Sequence, residues 1–275
     1  MVSNFNDRPG KLFDGLQHIR LAIVLLGKRR EATFAVHSTT YNKWLTEARG
    51  QLFSSLRHTE MAKLVRSASI PKVGSELEAL LLRKVFASPK TLHQYVTGTA
   101  PYPIYYTRKL SGFVQILDFI PKITDGRGCY RQPSELKEAK VSTVQQRNAF
   151  LCVLNSSLFY WLLTVWSDCR NLNKREVLGM RFTFDTVDCN SSAKLDKLAE
   201  QLMNDFRINS KILEMNYKDW GTMKIQCIYP KCSKPIIDEI DCVLAGHYGF
   251  TEEELDFIIN YDIKYRMGRD AEEKE

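Results

Sequence analysis

Cations set among aromatic residues are the chemistry this chain offers most openly. Arg8 stands in a polar loop near the start, Lys28-Arg29-Arg30 form a basic run, and Tyr106 precedes Arg108-Lys109. Arg127 and Arg131 bracket a glycine-containing turn, and Arg170, Lys174 and Arg175 fall in and just after the polar stretch Ser167–Asn173. Such groups suit a polyanion. Arginine forks pair with guanine edges, while lysine and tyrosine mostly position the phosphate backbone. Any one of these residues would sit equally well on a solvated loop, so the weight rests on their grouping.

The charge distribution sharpens this. The formal balance is 39 − 32 = +7. Thr251–Glu275 holds four basic and nine acidic residues, or 4 − 9 = −5, so residues 1–250 carry +12. An excess gathered in expected loops and interleaved with Tyr and Phe is an electrostatic footprint for nucleic acid. Other chemistries find less support. The seven cysteines form no CxxC pair and are odd in number, and the five histidines are scattered, so neither zinc nor a disulfide framework is expected. His37 and His58 have no Ser, Cys or carboxylate arrangement beside them in the sequence, and nucleophilic catalysis is not indicated. No catalytic residue and no metal ligand is assigned.

The elements that must position these groups follow from periodicity. A polar loop, Phe13 and Gly15 lead into an apolar strand at Ile19–Leu26. A basic turn then leads to a second strand at Thr33–His37, which predicts an antiparallel hairpin attached to the edge of a larger sheet. Tyr41–His58 contains a helical run in which Trp44, Leu45, Ala48, Leu52, Phe53 and Leu56 recur at three- and four-residue steps. Ser75 is an N-cap for a helix ending at Pro89. Short strands are expected at Ile104–Thr107 and Phe113–Phe119, in a stretch rich in Gly, Pro and aromatics. An apolar helix is expected over Gln145–Trp166; its run is too short and interrupted to span a membrane. A short helix at Lys174–Met180, a strand at Arg181–Phe184 and a long helix at Ala193–Tyr217 come next. Two helices close the chain, one starting at Pro235 and ending at Gly246, the other opened by the capping box Thr251–Glu254. Met1–Gly10 has no apolar h-region, so a cytoplasmic protein with no membrane partner is expected.

Three separated pieces, FNDRPGKLFDGLQHIRLAIVLL, LNSSLFYWLLTVWSDCRNLNKREV and HYGFTEEELDFIINYDIKYRMG, resemble one family in its own order. They are similar to the C-terminal half of the large adenine-specific DNA methyltransferases of restriction-modification and phage-defence systems, the type IIG fusions included. The resemblance implies an α+β fold. A terminal hairpin and helix of a class I methyltransferase sheet would occupy 1–60 and a target-recognition domain 61–190. A helical closing segment would fill 191–268, before a charged tail at 269–275.

The family's glycine-containing S-adenosylmethionine loop and its (Asn/Asp/Ser)-Pro-Pro-(Tyr/Phe) tetrapeptide are missing, and the chain contains no Pro-Pro dipeptide. The expectation is therefore a chain that binds no cofactor alone. Its partners would be double-stranded DNA and an upstream methyltransferase half carrying S-adenosylmethionine, whether the chain is a fragment or one part of a split enzyme. The alternatives are a decayed or structural remnant without DNA binding, and an enzyme with a cofactor site of another kind. Phe13 matches the place of the aromatic that stacks on a flipped adenine in the resembled family. The other reading of Phe13 is a plug in the core beneath the hairpin. Arg8 either contacts phosphate or caps its own loop. The DNA-contact candidates are Arg8, Lys28, Arg29, Arg30, Tyr106, Arg108, Lys109, Arg127, Arg131, Arg170, Lys174 and Arg175. Asn155 and Trp161 are assigned to packing, because the helix is apolar around them.

Overall fold

The computed structural model describes residues 1–13, 15, 19–28, 34–66, 69–218 and 220–268. Its strands and helices, in chain order, begin with β1 (Val2–Phe5), β2 (Leu21–Val24), β3 (His37–Asn42), β4 (Thr59–Glu60), α1 (Glu76–Ala87), β5 (Tyr102–Tyr106), β6 (Ile116–Leu117), β7 (Ile123–Thr124) and β8 (Lys137–Val141). They continue with α2 (Val144–Asn155), α3 (Ser157–Trp166), α4 (Lys174–Gly179), α5 (Cys189–Ile208), β9 (Lys211–Tyr217), β10 (Gly221–Cys227), α6 (Lys234–Tyr248), α7 (Glu252–Asn260) and α8 (Ile263–Arg266). The mixture is α+β, with three small sheets ordered β2-β1-β3-β4, β6-β5-β8 and β7-β10-β9.

The chain divides into two units. One is Met1–Lys84 with Leu162–Asp168; the other is Val85–Trp161 with the chain from Cys169 onward. The division falls beyond the boundary expected near residue 60, because Met61, Leu64 and Val73 are buried with the first unit. Gly74 fixes that packing. A Cβ there would stand 2.6 Å from the backbone nitrogen of Thr40. Residues 191–268 likewise do not stand apart, since α5 and α6 pack on α2 within the second unit.

In the first unit the expected hairpin is replaced by a different pairing. β1 runs antiparallel to β2 and parallel to β3; the second strand expected, Thr33–His37, is not strand over residues 34–36, and the strand lies instead at His37–Asn42, separated from β2 by β1. Val2–Phe5 is itself a strand, which completes a local sheet. Phe5 is fully buried, and its ring meets Trp44 edge-on at 6.0 Å in a cluster with Leu12 and Leu52. β2, within the apolar strand expected at Ile19–Leu26, is an edge strand, and Val24, Leu25 and Leu26 are exposed.

The expected long helix Gln145–Trp166 breaks at Ser156, where α2 and α3 meet at 62°. Ser156 takes an extended backbone, and its hydroxyl accepts from Phe159 N at 3.0 Å. The new N-terminus of α3 is capped from a distance: Asp241 accepts from Ser157 N at 3.1 Å and Leu158 N at 3.2 Å. A carboxylate there satisfies orphan N–H groups and complements the helix dipole. Asn155 serves packing, its amide bonding both the N–H (3.0 Å) and the carbonyl (2.9 Å) of Ile116, while Trp161 is fully buried. Among the described residues no single helix is long and apolar enough to cross a membrane. The helix expected over Ala193–Tyr217 stops at Ile208, and the chain turns into the β9–β10 ribbon.

Candidate nucleic-acid interface

Two loops far apart in sequence are held together by backbone pairing in the second unit. Leu172 N donates to the Arg108 carbonyl at 2.9 Å, and Lys109 bridges to Asn171. The first loop leaves β5 and the second leads into α4, whose start is fixed when Asn173 N donates to Glu176 Oε2 at 3.1 Å. The side chains of Arg108, Lys109, Arg170, Lys174 and Arg175 are thereby placed on adjoining exposed turns. Arg175 is partly neutralised. Its Nη2 reaches Glu176 at 2.8 Å, which lowers its value for phosphate.

Tyr106 does not join them. It is 2% exposed at the end of β5, so the expectation of a nucleic-acid contact there is corrected to a core position. Burial, and secondarily the Glu176 carboxylate, push its hydroxyl above the usual tyrosine range. Period-two alternation turns Ile104 and Tyr106 inward, and the tyrosine signal near a basic pair could not show that.

Arg127 and Arg131 sit in a second place, the turn between β7 and Arg131. Asp125 organises this turn: its Oδ1 accepts from Arg127 N at 3.0 Å and Cys129 N at 2.9 Å, and its Oδ2 from Arg131 Nε at 3.1 Å. These bonds, led by that of Cys129, hold the carboxyl below the usual aspartate range. Arg131 lies 4.3 Å over the ring of Trp220, and Tyr130 beside it is 59% exposed. Neither Trp220 nor Tyr130 was expected from the sequence. The available signal was an Asp-Trp-Gly turn between alternating segments, obscured by helix-like spacing upstream.

In the first unit, Phe13 is 51% exposed and therefore does not plug the core. Arg8 and Lys28 are exposed as well, while Arg29 and Arg30 lie outside the described residues. The loop that carries Arg8 follows β1, at the carboxyl end of the parallel β1/β3 pair, where open α/β sheets place ligands. Three of its N–H groups are engaged: Asn6 N donates to Asn42 O at 2.9 Å, Asp7 N to Asn6 Oδ1 at 2.8 Å, and Gly10 N to Trp44 O at 2.8 Å. A Cβ on Gly10 would lie 2.9 Å from Trp44 O and would strike the indole. These three N–H groups and the space beside Gly10 are taken up by the first unit's own packing.

Histidine chemistry is also visible, and it corrects the sequence reading. Ser3 Oγ lies 2.9 Å from His58 Nε2, a pairing hidden by the long separation in sequence. Burial lowers the His58 pKa, helped by the N-terminal ammonium and His37. The bond ties β1 to the residue just before β4 across the sheet. Among the described residues no group of His, Cys, Asp or Glu could hold a metal ion. Comparison with protein-family models, curated proteins and solved structures finds no match.

Proposed function

We propose that this chain is the DNA-binding, target-recognition portion of an adenine-N6 DNA methyltransferase of the restriction-modification type. It would deliver an adenine to an S-adenosylmethionine-binding half carried elsewhere. The observation that carries the DNA-binding part is the backbone pairing of the Arg108-Lys109 loop with the Arg170–Arg175 segment. That pairing gathers cations from two distant stretches onto one exposed surface. Fixed turns of this kind place charge for phosphate without much ordering cost on binding.

The resemblance of the three sequence pieces supplies the methyltransferase part of the reading, and two features of the first unit support it. Phe13 is exposed enough to stack on a flipped base. β2 ends the sheet with Val24, Leu25 and Leu26 bare, and an apolar sheet edge of that kind fits a further protein element.

The test is a salt titration of the purified chain with a fluorescently labelled duplex. Affinity is expected to fall with log K dropping by roughly 0.9 per log unit of salt for each phosphate neutralised. A flat response overturns the reading. The isolated chain is expected to show no photo-crosslinking to S-adenosylmethionine, and labelling would show that the cofactor half is not separate.

A further inference from the structure

The β9–β10 ribbon carries chemistry that the paired loops do not explain. Its strands pair along their length from Lys211↔Cys227 to Tyr217↔Gly221. Cross-strand pairs Leu213↔Ile225 and Met215↔Met223 share one face and stiffen it. The turn closes through Trp220 N bonding Tyr217 O at 3.3 Å, with Gly221 in the left-handed region at φ 68°. This is the glycine-ended form of a short hairpin loop. Trp220 at the turn is 54% exposed, whereas Trp44 and Trp161 are buried.

The neighbouring turn is locked against the ribbon. β7 pairs with β10, the backbone of Thr222 approaches Gly126, and the Asp125 carboxylate pins Arg131 over Trp220. Charge at this end is unbalanced. Asp125 and Glu214 are matched by Arg131 and Lys224, and the exposed Arg127 and Lys218 add positive charge beside the turn.

We propose that this ribbon is a DNA-reading finger, inserting into the major groove of duplex DNA with Trp220, Tyr130 and Arg127 at its leading end. Resting on the DNA-binding reading above, it names a second contact surface and the groove it occupies. Beyond the Lys224↔Thr124 pair, where β7 ends, the ribbon is two-stranded, one of the two elements whose width the major groove admits, and the turn carrying Arg127 and Tyr130 lies beside it. The exposed aromatics offer flat apolar contact to thymine methyls, and Arg127 offers a fork for guanine. Arg131 is different in kind: held by Asp125, it positions the indole.

The experiment uses the full chain and a short mixed-sequence duplex in two readouts, anisotropy and dimethyl sulfate protection of guanine N7 in the major groove. Wild-type chain is expected to protect guanines at its site. Trp220→Ala and Arg127→Ala are each expected to weaken binding about tenfold and remove that protection, on the scale of one good base contact. Both positions are exposed, and an unchanged melting temperature verifies folding. DNA binding with no N7 protection, or with affinity untouched by either variant, overturns the finger and leaves the paired-loop surface standing. Absence of any DNA binding overturns both. Loss of association with a methyltransferase half, with DNA affinity intact, makes the ribbon a protein-docking element and also overturns the proposal.

Discussion

Arg131 Nε and Nη2 both reach Asp125 Oδ2 at 3.1 Å while its guanidinium lies 4.3 Å above the Trp220 ring. One arginine thus couples the turn after β7 to the tip of the β9–β10 ribbon. The coupling depends on an ionised Asp125, whose pKa is depressed chiefly by the Cys129 N–H and further by Arg127 N and Arg131. A depressed carboxyl contributes order that is present above its unfolded pKa and lost as pH falls through its folded pKa. Trp220 fluorescence is therefore expected to hold steady through neutral and mildly acid pH and to change only below the ordinary aspartate range. Asp125→Asn should show the acid-form spectrum at neutral pH. An unchanged spectrum in that variant would remove Asp125 as the organiser.

The paired loops make a separable claim about salt. Arg108→Ala with Lys109→Ala is expected to reduce the slope of log K against log salt by about 0.9 for each phosphate contact removed. Lys174→Ala should act the same way. Arg175→Ala should matter least, because Glu176 already holds its guanidinium. Equal effects at Arg175 and Lys174 would show that the surface acts as diffuse charge and not through placed contacts.

The helix starts were legible because their signals are local. Ser75 Oγ accepts from Glu78 N at 3.2 Å, and Thr251 and Glu254 make the reciprocal bonds of a capping box. The end of α6 was placed at Gly246, yet the left-handed cap is Gly249, since a glycine inside a helix and one beyond it look alike in sequence. Leu195, Leu198, Leu202 and Phe206 do share the buried stripe of α5. Leu213 and Tyr217 continue the same spacing by coincidence, because residues 211–217 also alternate with period two. The grouping of the two cationic loops, Tyr106 facing inward and the Ser3–His58 bond all depend on strand partners. Pairing between distant segments leaves no mark at either one.

Gly10 offers a test of the loop that presents Arg8 and Phe13. A methyl group there has no room against the Trp44 indole and carbonyl, and both belong to the packed wall around Phe5. Gly10→Ala is expected to destabilise the first unit by about 1–3 kcal/mol, the range for overpacking a filled site. Phe13→Ala, at a half-exposed position, should cost less than about 0.5 kcal/mol while weakening any base-stacked complex. Urea denaturation of the two variants checks the contrast. A Gly10→Ala protein as stable as wild type would mean that Trp44 can move aside.

Asp241 gives the clearest dependence of stability on pH. It is buried beneath the α2–α3 break, and Arg266 sits close by, donating to Ser157 Oγ at 3.2 Å between the rings of Phe113 and Tyr160. Burial pushes its carboxyl up to about 6 from an ordinary 3.8, although the hydrogen bonds from Ser157 and Leu158 and the Arg266 charge pull the other way. Between those two values the folded chain holds a proton that the unfolded chain has released. Stability from this group is therefore greatest below the lower value, falls as pH rises through the interval, and is level above it. At roughly 1.4 kcal/mol per pH unit the change is on the order of 3 kcal/mol. Asp241→Asn removes the titration, so the difference in unfolding free energy between wild type and variant should slope across that window and flatten above it. Parallel curves would show that the two N–H donors and Arg266 offset the burial entirely, leaving Asp241 ionised throughout.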